Sequence, residues 1–155
     1  MNEGFIFIVI YNYCYDYWKS FRNIGKLIRI INSFEEYKRE HGYDTQMGTK
    51  NEEYIKECLI EVNNKKIPFS YQHIFEEEGF YEIRYSFIKN LNSINHIFCE
   101  CFDLVNVDFS NFYSNNIIDM RYMFYLCSSL TYINLSGFNT ESSITMGAMF
   151  VAVLP

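Results

Sequence analysis

Leu104-Val-Asn-Val-Asp-Phe-Ser-Asn-Phe112 and Leu130-Thr-Tyr-Ile-Asn-Leu-Ser-Gly-Phe138 carry one pattern twice, twenty-six residues apart. The same offset carries Phe98 onto Phe124 and then Phe150, Cys101 onto Cys127, Met120 onto Met146 and Met123 onto Met149. Self-similarity at a fixed period of this length marks a repeat architecture, in which each unit buries its apolar face against the next. Within each copy the spacing Leu-x-x-(Val/Ile)-x-(Phe/Leu) is that of a leucine-rich-repeat strand, and alternation places Val107 with Phe109, and Ile133 with Leu135, on one side.

The linking stretches switch period. Met120, Met123, Phe124 and Cys127 stand at i, i+3, i+4 and i+7, the stripe of a short helix. Ile94, Ile97, Phe98 and Cys101 repeat it one unit earlier, and Met146, Met149, Phe150 and Val153 one unit later. Ser93, Asp119 and Thr145 precede the three stripes as N-caps. The expected fold is therefore α/β: a short solenoid of parallel strands and short helices over residues 91–155. An N-terminal helical region (1–57) and a small β-rich lead-in (58–90) are expected to precede it. The next strand would begin beyond Pro155, so the strand over residues 132–135 is an open edge able to pair with another chain, unless the chain is a fragment of a longer array or residues 151–155 serve as a makeshift cap.

Met120-Arg-Tyr-Met123-Phe124-Tyr-Leu-Cys127-Ser-Ser-Leu130-Thr-Tyr-Ile133-Asn-Leu135-Ser136-Gly-Phe138-Asn-Thr140 resembles the BspA-like surface-protein repeat of about 26 residues, over roughly residues 91–150. The resemblance implies a leucine-rich-repeat solenoid used for protein binding or adhesion, often at a cell surface. Without it, the chain as given shows no secretion signal and defaults to the cytoplasm. Residues 5–11 are apolar, but lack the preceding cation and following small-residue cleavage site of a leader.

Upstream, Trp18, Phe21, Ile24, Leu27, Ile28 and Ile31 form a helical stripe. Lys19, Arg22, Lys26 and Arg29 lie opposite, so the segment 16–34 reads as a basic amphipathic helix. Such a helix caps a repeat stack or, alternatively, lies on an anionic membrane surface. Residues 35–51 read as a helix end plus loop, and Asn51 as the N-cap of a short helix to Lys56. Leu59–Val62, Asn63-Asn64 and residues 67–71 read as a hairpin. Tyr81, Ile83, Tyr85 and Phe87 alternate as a strand, the expected start of the repeat sheet.

The 155 residues are 49% hydrophobic and 21% charged, which excludes general disorder. The net charge of −6 argues against nucleic acid as a partner. All of that excess lies in residues 76–155, where only Arg84, Lys89 and Arg121 oppose the acids. Five cysteines without a CxxC pair read as buried thiols rather than a disulfide scaffold. His96, Cys99 and Cys101 are clustered metal-type ligands, but a helix would turn Cys99 and Cys101 about 200° apart, so no metal site or cofactor is expected. No nucleophile motif, phosphate loop or HExxH occurs, and the reading is non-enzymatic. The expected function is protein binding or adhesion through outward positions of the strands: Asn106, Asp108 and Ser110 in one unit, Tyr132, Asn134 and Ser136 in the next. Edge-to-edge self-association is a further possible use of the open strand.

Overall fold

The structure is a computed structural model that describes residues 4–12, 25, 27–42, 49–112, 115–138 and 145–153. Its elements in chain order are β1 (Gly4–Asn12), β2 (Leu27–Arg29), α1 (Phe34–His41), α2 (Glu52–Ile55), β3 (Leu59–Val62), β4 (Lys65–Ile67), β5 (Gln72–Ile74), β6 (Gly79–Phe87), β7 (Leu104–Asp108) and β8 (Tyr132–Asn134).

A six-stranded sheet in the order β4-β3-β6-β1-β7-β8 organises the molecule, with β2 and β5 forming a second, two-stranded sheet. The large sheet is mixed. β1 is antiparallel to both β6 and β7, β3 is antiparallel to β4 and β6, and β7–β8 runs parallel. The fold is thus mainly β, and the α/β solenoid expected from the repeat is corrected. The decisive element is β1. Its apolar run enters between β6 and β7, with Ile8 opposite both Ile83 and Val107, so β6 does not open a parallel repeat sheet. Strands from all three expected regions thereby share one sheet.

Ile6, Ile8, Ile10, Ile60, Ile83, Tyr85, Leu104 and Val107 are buried on one side of this sheet and belong to a single core. Tyr85 is fully buried, and its hydroxyl donates to the Ile30 carbonyl at 2.7 Å, which satisfies the one polar atom that burial would otherwise strand.

Against that side lie three segments, 93–101, 119–127 and 145–153, in which the sequence predicts helices. They are successions of tight turns. His96 and Glu100, Tyr122 and Leu126, and Ala148 and Ala152 all take positive φ, between 55° and 62°. A left-handed residue every fourth position is incompatible with an α-helix. Turns and helix nevertheless put the same side chains inward: Ile94, Ile97, Phe98 and Cys101 are all fully buried. Alternate amides close turns locally, as in Ile97 N–H to Ile94 O and Cys99 N–H to His96 O. The amides between them reach across to the next segment. Those of Ile94, His96, Phe98 and Glu100 donate to the carbonyls of Asp119, Arg121, Met123 and Tyr125 at 2.8–3.1 Å. Those of Met120, Tyr122, Phe124 and Leu126 donate to Thr145, Gly147, Met149 and Val151 at 2.8–3.2 Å. Ser93, Asp119 and Thr145, expected as N-caps, pair with one another as parallel bridges. The rings of Phe98, Phe124 and Phe150 stack, with centroids 6.0 and 5.6 Å apart and planes within 13°.

The N-terminal helix of the sequence reading is corrected over its described part. Leu27–Arg29 is a strand paired with β5, and the helix begins only at Phe34, capped by the Ser33 hydroxyl accepting from the Glu36 amide. Trp18, Lys19, Phe21, Arg22, Ile24 and Lys26 lie outside the described residues. The hairpin forms with its turn at Asn63 and Asn64, both of which take the positive φ that a two-residue turn of this kind demands, but its second arm is β4 (Lys65–Ile67) and not residues 67–71, because so tight a turn starts pairing at once, Val62 with Lys65.

Candidate functional site

Alternation along the central strands leaves a second side of the large sheet that no described element covers. Register aligns its side chains in rows: Glu82, Val9, Asn106 and Tyr132 in one, and Arg84, Asp108 and Asn134 among the positions of the next. A groove of about 340 Å³ opens there, lined by Val9, Glu82, Asn106, Asp108 and Tyr132 with the edge of Val107. Tyr132 is 57% exposed on the edge strand β8. Four of the six sequence-predicted contact residues therefore lie on this one face, Asn106 beside Tyr132 and Asp108 beside Asn134.

Two of these residues also have local work. The Asp108 carboxylate accepts the Ser110 amide at 2.7 Å, and the Asn134 side chain accepts the Ser136 amide at 3.0 Å. Both are turns in which a side-chain oxygen substitutes for backbone and stops the strand. Ser110 and Ser136 are exposed beyond the strand ends, one residue past the turn of direction, and do not line the groove. Asn106 and Tyr132 carry no such strand-ending bond; the Asn106 side chain meets the Thr131 hydroxyl at 3.4 Å. The groove's other members, Val9 and Glu82, went unpredicted because only the neighbouring strand β1 brings β6 and β7 together.

Opposite the groove, a buried polar seam joins α1 and α2 to the first two turn segments. Asn51 donates to Asn95 O and Oδ1, Asn95 donates to Asp119, and Asp119 also accepts from the Thr49 amide and from the amide and guanidinium of Arg121. Burial works against the Asp119 anion, but these donors outweigh it and hold its pKa at about 2. His96 sits in the same seam, stacked on Tyr122 at 4.9 Å and tilted against Tyr37 and Phe34. Burial pushes its pKa down to about 4, so the ring is neutral at ordinary pH. Cys99, expected off the core stripe, is fully buried because α1 covers that side, where Asn32 donates to its carbonyl. Cys58, Cys99, Cys101 and Cys127 are all free and buried, and burial raises each thiol well above its usual range, which removes nucleophilic character. Cys14 lies outside the described residues.

Glu40, His41 and Glu100 place three ligand atoms within 4.8 Å of one another, with His41 Nε2 3.0 Å from Glu100. The Arg29 guanidinium already binds the Glu40 carboxylate, supplying locally the positive charge that a cation would bring. Arg29 is thus spent on this pair, and of the four cations expected on a basic helix face it alone falls among the described residues. No helix among the described residues is long and apolar enough to cross a membrane.

Residues 69–153, more than half of the chain, match the family described as Mycoplasma protein of unknown function, DUF285, and the chain belongs to that family. The match spans β5 to the third turn segment and so contains β6, β7 and β8 of the grooved face. No curated protein and no solved structure matches the chain significantly.

Proposed function

We propose that this member of the DUF285 family is a non-enzymatic protein-binding module, of the kind used in adhesion, whose contact surface is the uncovered side of the large sheet. The observation that carries the reading is the groove lined by Val9, Glu82, Asn106, Asp108 and Tyr132 on a face whose partner layer is missing among the described residues. A half-exposed tyrosine beside hydrogen-bonding side chains is the composition of a recognition surface: the ring offers rigid contact area, and its hydroxyl and the neighbouring amide offer direction. Glu82 and Asp108 give the groove an acidic rim, which favours a partner segment bearing Lys or Arg. The resemblance of the repeat to BspA-like surface proteins supports the same reading.

The test uses the whole chain immobilised and exposed to extracellular and membrane-protein extracts, with each retained protein purified and its affinity measured. Tyr132→Ala and Glu82→Lys are expected to weaken binding by about tenfold or more each, an anchor aromatic and a rim charge reversal respectively. Their thermal melts should match the parent. Asn134→Ala is expected to weaken binding and also to lose a little stability, because Asn134 closes a turn. Undiminished binding by both Tyr132→Ala and Glu82→Lys overturns the reading.

A further inference from the structure

The inner side of the large sheet is not filled to its end. β6 begins four residues before its first pairing with β3, Ile83 opposite Val62. There a cavity of about 370 Å³ opens between the Asn63-Asn64 turn, β5 and the start of β6. Small-molecule sites occupy about 300–1,000 Å³, so this one suits a ligand at the small end of that range. Its floor is apolar, made by Val62, Ile67, Phe75 and Tyr81. The rings of His73, Phe75 and Tyr81 form a continuous wall, with successive centroids 4.8 and 4.3 Å apart. The frame is tied on both sides. The Asn63 amide donates to the Glu82 carbonyl at 2.9 Å while its side chain accepts the Glu82 amide at 3.0 Å, and the Tyr81 hydroxyl donates to the Glu77 carbonyl at 2.9 Å.

Three polar groups border this floor without a polar partner among the described residues: the Lys65 ammonium, the His73 imidazole and the Glu76 carboxylate. Lys56 and Lys89, by contrast, are each spent on a carboxylate, those of Glu52 and Glu57. Burial lowers the His73 pKa, so its ring is neutral at ordinary pH and offers one N–H and one lone pair. We propose that the cavity binds a small zwitterion with an apolar side chain, of the amino-acid or dipeptide class. Lys65 and the His73 N–H take the carboxylate, Glu76 takes the ammonium, and the side chain lies on Phe75 and Tyr81. Charge complementarity selects this occupant. A purely apolar molecule would leave both charges unmatched, and a simple anion would stand beside the Glu76 carboxylate with nothing to offset it. A molecule with one charge at each end and an apolar body meets all three features. None of these residues lines the sheet-face groove, so this site stands or falls separately from it.

The full chain is titrated with L-phenylalanine and with the dipeptide leucyl-phenylalanine, followed by calorimetry and NMR. Saturable binding is expected, with shifts concentrated on the His73 and Tyr81 rings. Phenylalaninamide lacks the carboxylate and N-acetylphenylalanine lacks the ammonium, and each should bind about tenfold or more weakly than phenylalanine. Lys65→Met should weaken phenylalanine by a similar factor and leave phenylalaninamide unchanged. Glu76→Gln should weaken phenylalanine and leave N-acetylphenylalanine unchanged. Both side chains are exposed, so the thermal melts of these variants should match the parent. Tyr132→Ala should bind phenylalanine as the parent does. Absence of saturable binding by either probe up to about 10 mM would overturn the proposal. So would phenylalaninamide binding as tightly as phenylalanine, which would assign the cavity to a polypeptide N-terminus. Losses in Lys65→Met and Glu76→Gln that do not depend on which end of the ligand is capped would overturn it as well.

Discussion

Replacing Phe124 by alanine tests whether the turn segments form consecutive layers of one core. Its ring is fully buried, with Phe98 on one face at 6.0 Å, Phe150 on the other at 5.6 Å, and the edge of Phe109 at 6.3 Å. Deleting a buried phenylalanine ring that neighbours cannot collapse onto costs about 3–5 kcal/mol. Here collapse is resisted, because Phe98 and Phe150 sit on segments tied to the Phe124 segment by a ladder of four hydrogen bonds on each side. For a chain of this size each kcal/mol moves the melting temperature by about 2–4 °C, so a drop of roughly 6–20 °C is expected. Phe150→Ala is the internal control. Its ring is 48% exposed and stacked on one side only, so it should cost about 1 kcal/mol. Urea unfolding at constant m-value measures both. Equal losses in the two variants, or a loss below about 1 kcal/mol for Phe124→Ala, would refute the layered core.

Gly137 and Gly147 make a second pair. A Cβ at Gly137 would lie 2.0 Å from the Phe109 carbonyl oxygen and 3.0 Å from that of Phe112, so Gly137→Ala must push the β8 turn off its neighbour, at about 1–3 kcal/mol or more by calorimetry. A Cβ at Gly147 meets only the Arg121 side chain at 3.7 Å, and Gly147→Ala should be neutral or slightly stabilising. Acid stability provides a third test. Hydrogen bonds from Arg39 first, then Lys56 and Tyr71, hold Glu52 at about 2 against an ordinary 4.5. Because the folded value is depressed, the carboxylate stabilises the fold above about pH 4.5, and that contribution is lost as the pH falls toward 2. Glu52→Gln should flatten the stability curve in that window while leaving the shallower Asp119 contribution below 3.8 in place; identical curves would contradict the assignment.

What sequence could disclose here follows the range of the interactions. The hairpin was legible because two consecutive asparagines supply positive φ locally, and β6 because its alternation is complete within seven residues. Asn51 stands where the sequence puts an N-cap, although its side chain serves the Phe34 amide and Asn95 instead of the helix it precedes. The offset of twenty-six residues is visible in the pairing of Val107 with Ile133, yet the units are turns and the sheet is mixed. Helical spacing cannot distinguish the two, since both bury i, i+3, i+4 and i+7. The left-handed residues that decide it are His, Glu, Tyr, Leu and Ala, of which only His is enriched in that conformation. β1 was illegible for the opposite reason: its partners lie some seventy to a hundred positions downstream. The same strand assembled half of the candidate groove, which is why Val9 and Glu82 escaped notice while Asn106 and Tyr132 did not.

That remoteness sets a timetable for synthesis. A ribosome adds about 5–20 residues each second, so the strand holding Ile6, Ile8 and Ile10 is made roughly four to fifteen seconds before its neighbour on one side, and longer before the other. Throughout that interval a β-prone apolar ribbon has nothing to pair with. That ribbon is thus the stickiest part of the chain while its partners are still unmade, and a holdase that shields it should raise the soluble yield more than any change to the finished surface.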